Sequence, residues 1–553
     1  MNSYRGSKLS AWQKAFVEAL THLSTSPDYP IRLNEQRAIV SGRLPLFVSI
    51  DTSGMTREEG GMKLEPNEQF LIVVAPEATR PPDVLVVHNR FVGYPHVMHG
   101  RQLCVYLDPS REWNPAQLAV GFIDRLWEWL VDATAGRFAA SDSLYHAIGG
   151  VPSGARAETV LVVRDDVPNT PTRLYGAYRT ERRVDVHSQP RESSFPILSW
   201  PCGGPLPLGA GDTLSELLAA IGDTGDAFLE ALRVLASRGD AGARPLMFVL
   251  GVPHPAGGAS QLVAGRITES DAAALGSRTS PAEIMKIDWC SVSDERPVVT
   301  RRRDAESAAA GFRGASVFLY GCGALGSWMA EFMVRAGVAS ITLTDPGRIL
   351  GGLLVRQNYV EDDVGDIKST ALARRLRSIS DQVVVNDLAT STEEPTSASV
   401  LAADFVIDAT ANVAASQLLQ TVLASFPNRR GVLAQVATDP AHGVRGIATV
   451  AGVGDDRPLR EIDDAAGRLV TDRPDLEDFH SFWALTAPSH LVTPTRGCSI
   501  PTFHGSAADM AAIAGILVST LARHRGATAS GSQVFRLPEP QGVNAAWIEV
   551  PRS

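Results

Sequence analysis

Long apolar runs, paired cysteines and single-sign charge tracts are all scarce in this chain of 553 residues. No stretch approaches the roughly 18–20 apolar residues that a membrane-spanning helix needs. The opening MNSYRGSKLSAWQKAFVEALTHL shows a helix-period pattern and not the unbroken apolar core of a signal peptide. The expectation is a cytoplasmic protein without a membrane partner. The five cysteines are Cys104, Cys202, Cys290, Cys322 and Cys498. Their odd number, wide spacing and lack of a C-x-x-C pair speak against a disulfide framework or a structural zinc. Net charge is −10 and no Lys/Arg stripe stands out, the triplet Arg301–Arg303 being too short to count. Nucleic acid is therefore a poor candidate partner.

What is present fits an ordinary globular chain: 44% apolar and 20% charged residues. Its length suggests about three or four domains at ~100–200 residues each. Residues 1–150 begin with a helix pattern (Trp12, Phe16, Leu20, Leu23). Strand-like runs LFVSI, FLIVVA and VLVVH come next, and a second helix pattern closes the segment (Leu118, Phe122, Leu126, Trp127, Leu130). Helix, antiparallel strands and helix make a small α+β domain. Residues 151–295 read as a mixed α/β connecting domain. ETVLVVR and PLMFVLGV are strands and DAFLEALRVLAS a helix, with FPILSWPCGGPLPLGAGD and GVPHPAGGAS of loop composition. Residues 296–553 alternate: strand SVFLY, helix Leu325–Gly337, strand SITLTD, helix Ile367–Ser378, strands VVVND and DFVIDAT, then a helix from Val413 to Ala424. That order is a doubly wound α/β sheet of mainly parallel strands.

Gly321, Gly323 and Gly326 form G-x-G-x-x-G between a strand and a helix. Glycine there lets the backbone approach phosphates, which the helix N-terminus favours. Asp345 ends the next strand, where a carboxylate can bind ribose hydroxyls. NAD and ATP fit these residues equally. The crossover beyond Asp345 discriminates between them. Its Arg356, Gln357 and Lys368 are polar and cationic, suited to phosphate oxygens and a leaving pyrophosphate rather than to a nicotinamide slot.

With GCGALG, TDP, LLVRQ and DVGDIKS in this order and spacing, the segment resembles the ThiF-type adenylyltransferases, which include ubiquitin-activating enzymes. The family pattern is G-x-G-x-x-G, a strand-end aspartate, N-L-x-R-Q and D-V-G-x-x-K. The resemblance implies ATP and Mg2+, and the joining of a carboxylate to AMP with release of pyrophosphate. It also implies a magnesium ligand in D-x-T-D-N. Here DATAN supplies Asp408, while Ala411 replaces the second aspartate. Leu353 stands for the family asparagine and Gly347 for a second acid near Asp345. These departures leave metal handling open, and Asp408 can equally be a strand-end carboxylate bonded to backbone.

An acyl adenylate calls for a nucleophile, and thiolates attack it well. Cys498, in TPTRGCSIPTFHGSAADM with Arg496 and His504 nearby, resembles the G-C-x-x-P-T-F-x-G-S-x-x-D segment of bacterial ubiquitin-activating relatives fused to a conjugating domain. The alternative is a structural loop cysteine. A helix pattern starts near Ser506. Around Cys104, the order Pro81-Pro82, Tyr94-Pro95-His96, Cys104, Trp113-Asn114-Pro115 resembles a ubiquitin-conjugating core. His96 takes the place of the family asparagine, either as an oxyanion donor or as a loop-packing residue, with His99 a weaker candidate. Cys322 is packing inside the glycine turn; Cys202 and Cys290 have no chemical context.

The order of domains resembles bacterial fusion enzymes of antiphage (CBASS) operons, found with cyclic-oligonucleotide signalling. The resemblance implies transfer of a ubiquitin-like protein or nucleotidyltransferase C-terminus through Cys498 and Cys104 to a target lysine. It also implies a homodimer, with Arg301–Arg303 offering an arginine to the partner's site. Two competing readings remain at this point. One is an adenylyltransferase that modifies a peptide or sulfur carrier, the N-terminal domain being a binding module. The other is a scaffold with a decayed nucleotide site, motivated by Ala411 and Leu353.

Overall fold

The structure is a computed structural model. It describes residues 9–91, 94–98, 101–138, 158–206, 209–237, 244–253, 258–278, 285–304, 306–388, 400, 402–424, 429–439, 443–484, 505–538 and 544–552. The chain separates into two compact units, residues 1–303 and 304–553.

The first unit opens with α1 (Ala11–Thr25), started by a reciprocal capping box. Ser10 Oγ accepts from the Gln13 N–H, and Gln13 Oε1 accepts from the Ser10 N–H. Phe16, Leu20 and Leu23 form its buried face. They pack on an antiparallel sheet of β1 (Ile31–Gln36), β2 (Leu44–Asp51), β3 (Asn67–Val74), β4 (Asp83–Val86), β5 (Val97–Met98) and β6 (Gln102–Leu103). The strand order is β1-β2-β3-β4-β6-β5. Helix α2 (Leu118–Thr134) buries Phe122, Leu126, Trp129 and Leu130 in the same core. The α+β expectation holds; the sequence reading missed β1 and the short β5–β6 hairpin.

The same unit carries a closed barrel of β7 (Val160–Val163), β8 (Thr172–Thr180), β9 (Arg183–His187), β10 (Phe195–Pro201), β11 (Leu246–Val252), β12 (Gln261–Ile267) and β13 (Asp288–Asp294), closing in the order β10-β11-β12-β13-β7-β9-β8. Helices α3 (Leu214–Ile221) and α4 (Gly225–Ser237) cross over between the parallel strands β10 and β11, and α5 (Glu269–Ser277) comes after β12. Ile197, Met247, Val249, Ala264 and Cys290 fill the interior, while Leu198, Trp200, Phe228, Phe248 and Trp289 pack between barrel and helices. The loop expected from FPILSWP is a correction: Phe195–Pro201 is a strand apolar on both faces. Its Pro196 is tolerated because pairing with β11 begins only at Leu198.

The second unit contains β14 (Ser316–Tyr320), α6 (Gly326–Arg335), β15 (Ser340–Thr344), α7 (Lys368–Ile379), β16 (Val384–Asp387), β17 (Phe405–Asp408), α8 (Val413–Ala424), β18 (Val432–Thr438), β19 (Arg445–Ala451), α9 (Leu459–Thr471), α10 (Ala507–Ala522), β20 (Gly531–Arg536) and β21 (Ala545–Glu549). The sheet order is β16-β15-β14-β17-β18-β19-β20-β21. Pairing is parallel from β16 to β18 and antiparallel from β18 to β21. The parallel expectation therefore describes one half of the sheet. The chain winds one way from β14 through β15 to β16, and the other way through β17 and β18. This puts the topological switch point between β14 and β17, where Tyr320 pairs with Asp408.

Candidate active site

The glycine turn sits at that switch point, and its three glycines are needed for different reasons. Gly321 has φ of 87°, and a Cβ on it would lie 2.9 Å from the Ala409 carbonyl. A Cβ on Gly326 would lie 1.9 Å from the Gly321 carbonyl oxygen. Both are packing constraints. Gly323 differs, since a Cβ there would meet nothing within 4 Å. The space beside it is open, as close approach of a phosphate requires. Helix α6 begins without a side-chain cap, as does α7, so both leave backbone N–H groups for an anion.

Asp345 holds the turn in place. One carboxylate oxygen accepts from the Cys322 N–H and the other from the Gly347 N–H, both at 2.8 Å. Lys368 opens α7, and a Cβ on Gly347 would lie 3.5 Å from its Nζ and 2.9 Å from Asp345 Oδ1. The Lys368 ammonium has no hydrogen bond or ion pair among the described residues.

The crossover segment after Asp345 is tied down by residues the sequence reading did not single out. Tyr359 shares its hydroxyl proton between the carbonyls of Cys322 (2.7 Å) and Lys368 (3.1 Å), joining the glycine turn to the start of α7. Ser327 Oγ donates to the Gly323 carbonyl and accepts from the Asn358 N–H. The Asn358 side chain donates to Glu331, which is also paired with Arg335 and Arg375. The Trp328 indole donates to the Arg356 carbonyl. A signal was available, since Asn358 and Tyr359 come directly after Arg356 and Gln357. Gln357 is buried, and its Oε1 has no partner among the described residues.

Asp408 ends β17 at 1% exposure. Thr410 donates twice to Oδ1, from its N–H (2.9 Å) and its hydroxyl (2.6 Å); Oδ2 is buried without a partner among the described residues. Burial raises the carboxyl above its ordinary value, and the Thr410 bonds oppose this. A buried carboxylate oxygen with no donor fits a cation. Mg2+ is commonly held by one or two carboxylates together with phosphate oxygens and water, a pattern that a single aspartate fits. Among the described residues no group of three or more His, Cys, Asp or Glu gathers as an independent metal site. Ala411 has φ of 50°, a left-handed conformation that aspartate or asparagine would adopt more readily.

In the first unit, the β5–β6 hairpin sets Cys104. Residues at its two ends, His96 and Arg101, have φ of 60° and 64°, and the Cys104 N–H donates to the His96 carbonyl at 2.9 Å. Cys104 is half-buried with its thiol directed to the Tyr106 carbonyl at 3.4 Å. Burial pushes the thiol pKa up, Glu112 adds to this, and Arg125 opposes it. The His96 ring lies 4.7 Å from that of Phe138, which in turn packs on Trp129. That burial favours the loop-packing alternative. Trp113 donates to the Ala78 carbonyl and packs edge-on against Tyr106 and Phe122, anchoring the segment after Cys104.

Cys322 is fully buried with its thiol pKa pushed well up, and burial raises Cys202 and Cys290 to about 11. None of the three is a nucleophile in this environment. Cys498, Arg496, His504 and His99 lie outside the described residues, as do the side chains of Arg301–Arg303. The expected helix begins at Ala507, capped by Ser506 and Asp509.

Three stretches match families. Residues 34–148 match Prokaryotic E2 family A, residues 188–298 the Cap2 central linker domain, and residues 305–430 the ThiF family. The chain is a fusion of an E2 domain, a Cap2-type linker and a ThiF domain. The glycine turn, Arg356, Lys368 and Asp408 lie in the ThiF stretch, Cys104 in the E2 stretch, and most of the barrel in the linker stretch. Curated relatives include the sulfur carrier protein ThiS adenylyltransferase of Bacillus subtilis (strain 168), 44% identical over 77 residues, which are 13% of this chain and 23% of that protein. Another is the tRNA threonylcarbamoyladenosine dehydratase of Escherichia coli (strain K12), 35% identical over 95 residues, 16% of this chain and 35% of that protein. The match thus spans 23% and 35% of the length of these two relatives. Solved structures of PaaA and of E. coli MccB with ATP align over 44% of the chain and 67% of theirs. Identities are 14% and 15% and TM-scores 0.30 and 0.29. Among the described residues no helix is long and apolar enough to cross a membrane.

Proposed function

We propose that the second unit uses ATP to activate the C-terminal carboxylate of a protein, and that the activated acyl group passes through two thiols to an amine. The carboxylate attacks the α-phosphorus and pyrophosphate leaves, giving an acyl adenylate. The open flank of Gly323 and the uncapped start of α6 receive phosphates. Lys368 and Arg356 balance charge that develops on the phosphoryl oxygens. Gln357 Oε1, an acceptor in want of a donor, suits a ribose hydroxyl. Asp408 Oδ2 would hold Mg2+, which supplies charge neutralisation at the phosphates.

Cys498 then takes the acyl group and releases AMP. Cys104 receives it by thioester exchange, and a target lysine amine accepts it. Two thiols on one chain or its dimer partner replace a bimolecular encounter by a high effective concentration. The Cap2-type linker supports a nucleotidyltransferase C-terminus as the acyl donor in a cytoplasmic CBASS system. His96 serves this reading by shaping the Cys104 loop, with an oxyanion role secondary.

The observation that carries the proposal is the orphaned Asp408 Oδ2 beside a glycine turn whose middle residue faces open space. The test is ATP–pyrophosphate exchange with donor proteins ending in glycine. Exchange that disappears when the donor's last residue is removed supports carboxylate activation; exchange indifferent to that removal contradicts it. The raised thiol pKa of Cys104 favours one alternative, an adenylyltransferase that hands its product to a peptide or sulfur carrier without using Cys104. In that case Cys104→Ala leaves product formation unchanged.

A further inference from the structure

The barrel interior narrows chemically toward one end. Along β10 and β11 the inward positions pass from Ile197 and Val249 to Ser199 and Gly251, while β12 contributes Leu262 opposite Gly251, with Ser260 just before the strand. Loss of side-chain volume at that mouth leaves a cavity of about 130 Å³, lined also by Val167, Leu262 and Arg296. The space is close to the roughly 150 Å³ that admits a benzene, and many times the ~10–15 Å³ needed by one water. Barrel mouths are recurrent places for ligands.

Two polar groups at this mouth lack partners among the described residues. Ser199 is 0% exposed, and its Oγ makes no hydrogen bond there. Arg296, 5% exposed, spends Nε and Nη2 on the Asp294 carboxylate and Nη2 also on the Ser260 carbonyl. Its Nη1 has no hydrogen-bond partner among the described residues. Both unmet groups can donate, so the complement is an oxygen acceptor with more than one lone pair. A cation is disfavoured by the guanidinium, and an apolar occupant would leave a buried hydroxyl unsatisfied.

We propose that this barrel mouth binds a carboxylate-bearing group of single-residue size, accepting from Arg296 Nη1 and Ser199 Oγ. Arginine suits the task because its planar fork presents charge-assisted donors to carboxylate oxygens. The carboxylate has two possible sources, a free small acid or the C-terminus of a polypeptide. The barrel belongs to the first unit and the nucleotide turn to the second, and the proposal does not depend on the adenylation reading.

The test uses the full chain in saturation-transfer NMR and calorimetry with N-acetylglycine, N-acetylglycinamide, and a tetrapeptide ending in glycine as free acid and as amide. Binding of the acids with at least tenfold preference over the amides is expected. Equal binding of N-acetylglycine and the tetrapeptide acid assigns a small acid; binding of the tetrapeptide acid alone assigns a polypeptide terminus. Gly251→Ala introduces a methyl that would sit 3.8 Å from Ser260 Cβ, an ordinary contact, so the fold is kept while the pocket shrinks. Acid binding should fall at least tenfold in this variant and in Ser199→Ala, with thermal stability unchanged or raised. Acids and amides binding alike, no probe binding at millimolar concentration, or undiminished binding in both variants overturns the proposal.

Discussion

Alanine substitution of the three turn glycines separates packing from ligand approach. In Gly326→Ala the new Cβ would fall 1.9 Å from a backbone oxygen, so backbone must move. Overpacking of this kind costs about 1–3 kcal/mol or more. Gly321→Ala adds a left-handed backbone, worth about 1–2 kcal/mol, to a 2.9 Å contact with the Ala409 carbonyl. For a unit spanning residues 304–553, each kcal/mol shifts the melting temperature by roughly 2–4 °C. Both variants should therefore melt lower by about 2–12 °C. Gly323→Ala meets nothing, so its melting temperature should hold, or rise slightly through lower chain entropy in the unfolded state. Its methyl would occupy the space left for a phosphate. Losing one hydrogen bond to a charged group costs about 1.5–3 kcal/mol, so ATP affinity should fall roughly ten- to a hundredfold. Calorimetric titration with ATP and differential scanning calorimetry on the three variants measure both quantities. Wild-type ATP affinity in Gly323→Ala, or melting as low as that of Gly326→Ala, would refute the reasoning.

Other expectations rest on the same contacts. Tyr359→Phe removes the tie between turn and α7 and should cost about 1 kcal/mol of stability along with several-fold in ATP affinity; unchanged melting would contradict this. Asp408→Asn should abolish pyrophosphate exchange without lowering stability at pH 7. Burial raises the native pKa of this acid above its unfolded value, so the wild type loses stability as pH climbs from 3.8 through the raised value, a loss the variant lacks. Denaturant titrations at pH 4 and pH 7 check it, and a wild-type-minus-variant difference equal at both values contradicts it. The raised Cys104 thiol predicts that its alkylation by iodoacetamide, monitored by mass spectrometry, climbs about tenfold from pH 7 to pH 8 without levelling. Glu112→Gln should speed that alkylation, since the carboxylate opposes the thiolate; a plateau below pH 8 contradicts the first statement and an unchanged or slower rate in the variant contradicts the second.

Legibility tracked the strength of local patterns. The strand–glycine turn–helix start was readable because Gly321, Gly323 and Gly326 and the strands on either side lie within a few residues of one another. Asp345 was placed correctly at a strand end, yet the bonds it makes to Cys322 and Gly347 depend on how the turn folds back, which spacing does not encode. Tyr359 and Asn358 were passed over because an uncharged residue near a charged motif looks like packing until its partners are known. The antiparallel half of the second sheet was unread, since α9, α10 and a long connection separate β19 from β20. In the barrel, Pro196 and Pro201 gave a strand the look of a loop, and a closed barrel sets its register through non-local pairings. The opening at Ser199 and Gly251 is likewise visible only once three strands lie side by side.

The most direct measurement is a non-reducing gel of the full chain incubated with ATP and a glycine-terminated donor, run beside Cys104→Ala and Cys498→Ala. A thiol-labile band in the wild type is the predicted result. It should be absent from Cys498→Ala and arrested on Cys498 when Cys104 is replaced. A band that forms normally without Cys498, or conjugates that form normally without Cys104, would contradict acyl transfer from AMP through two sulfurs.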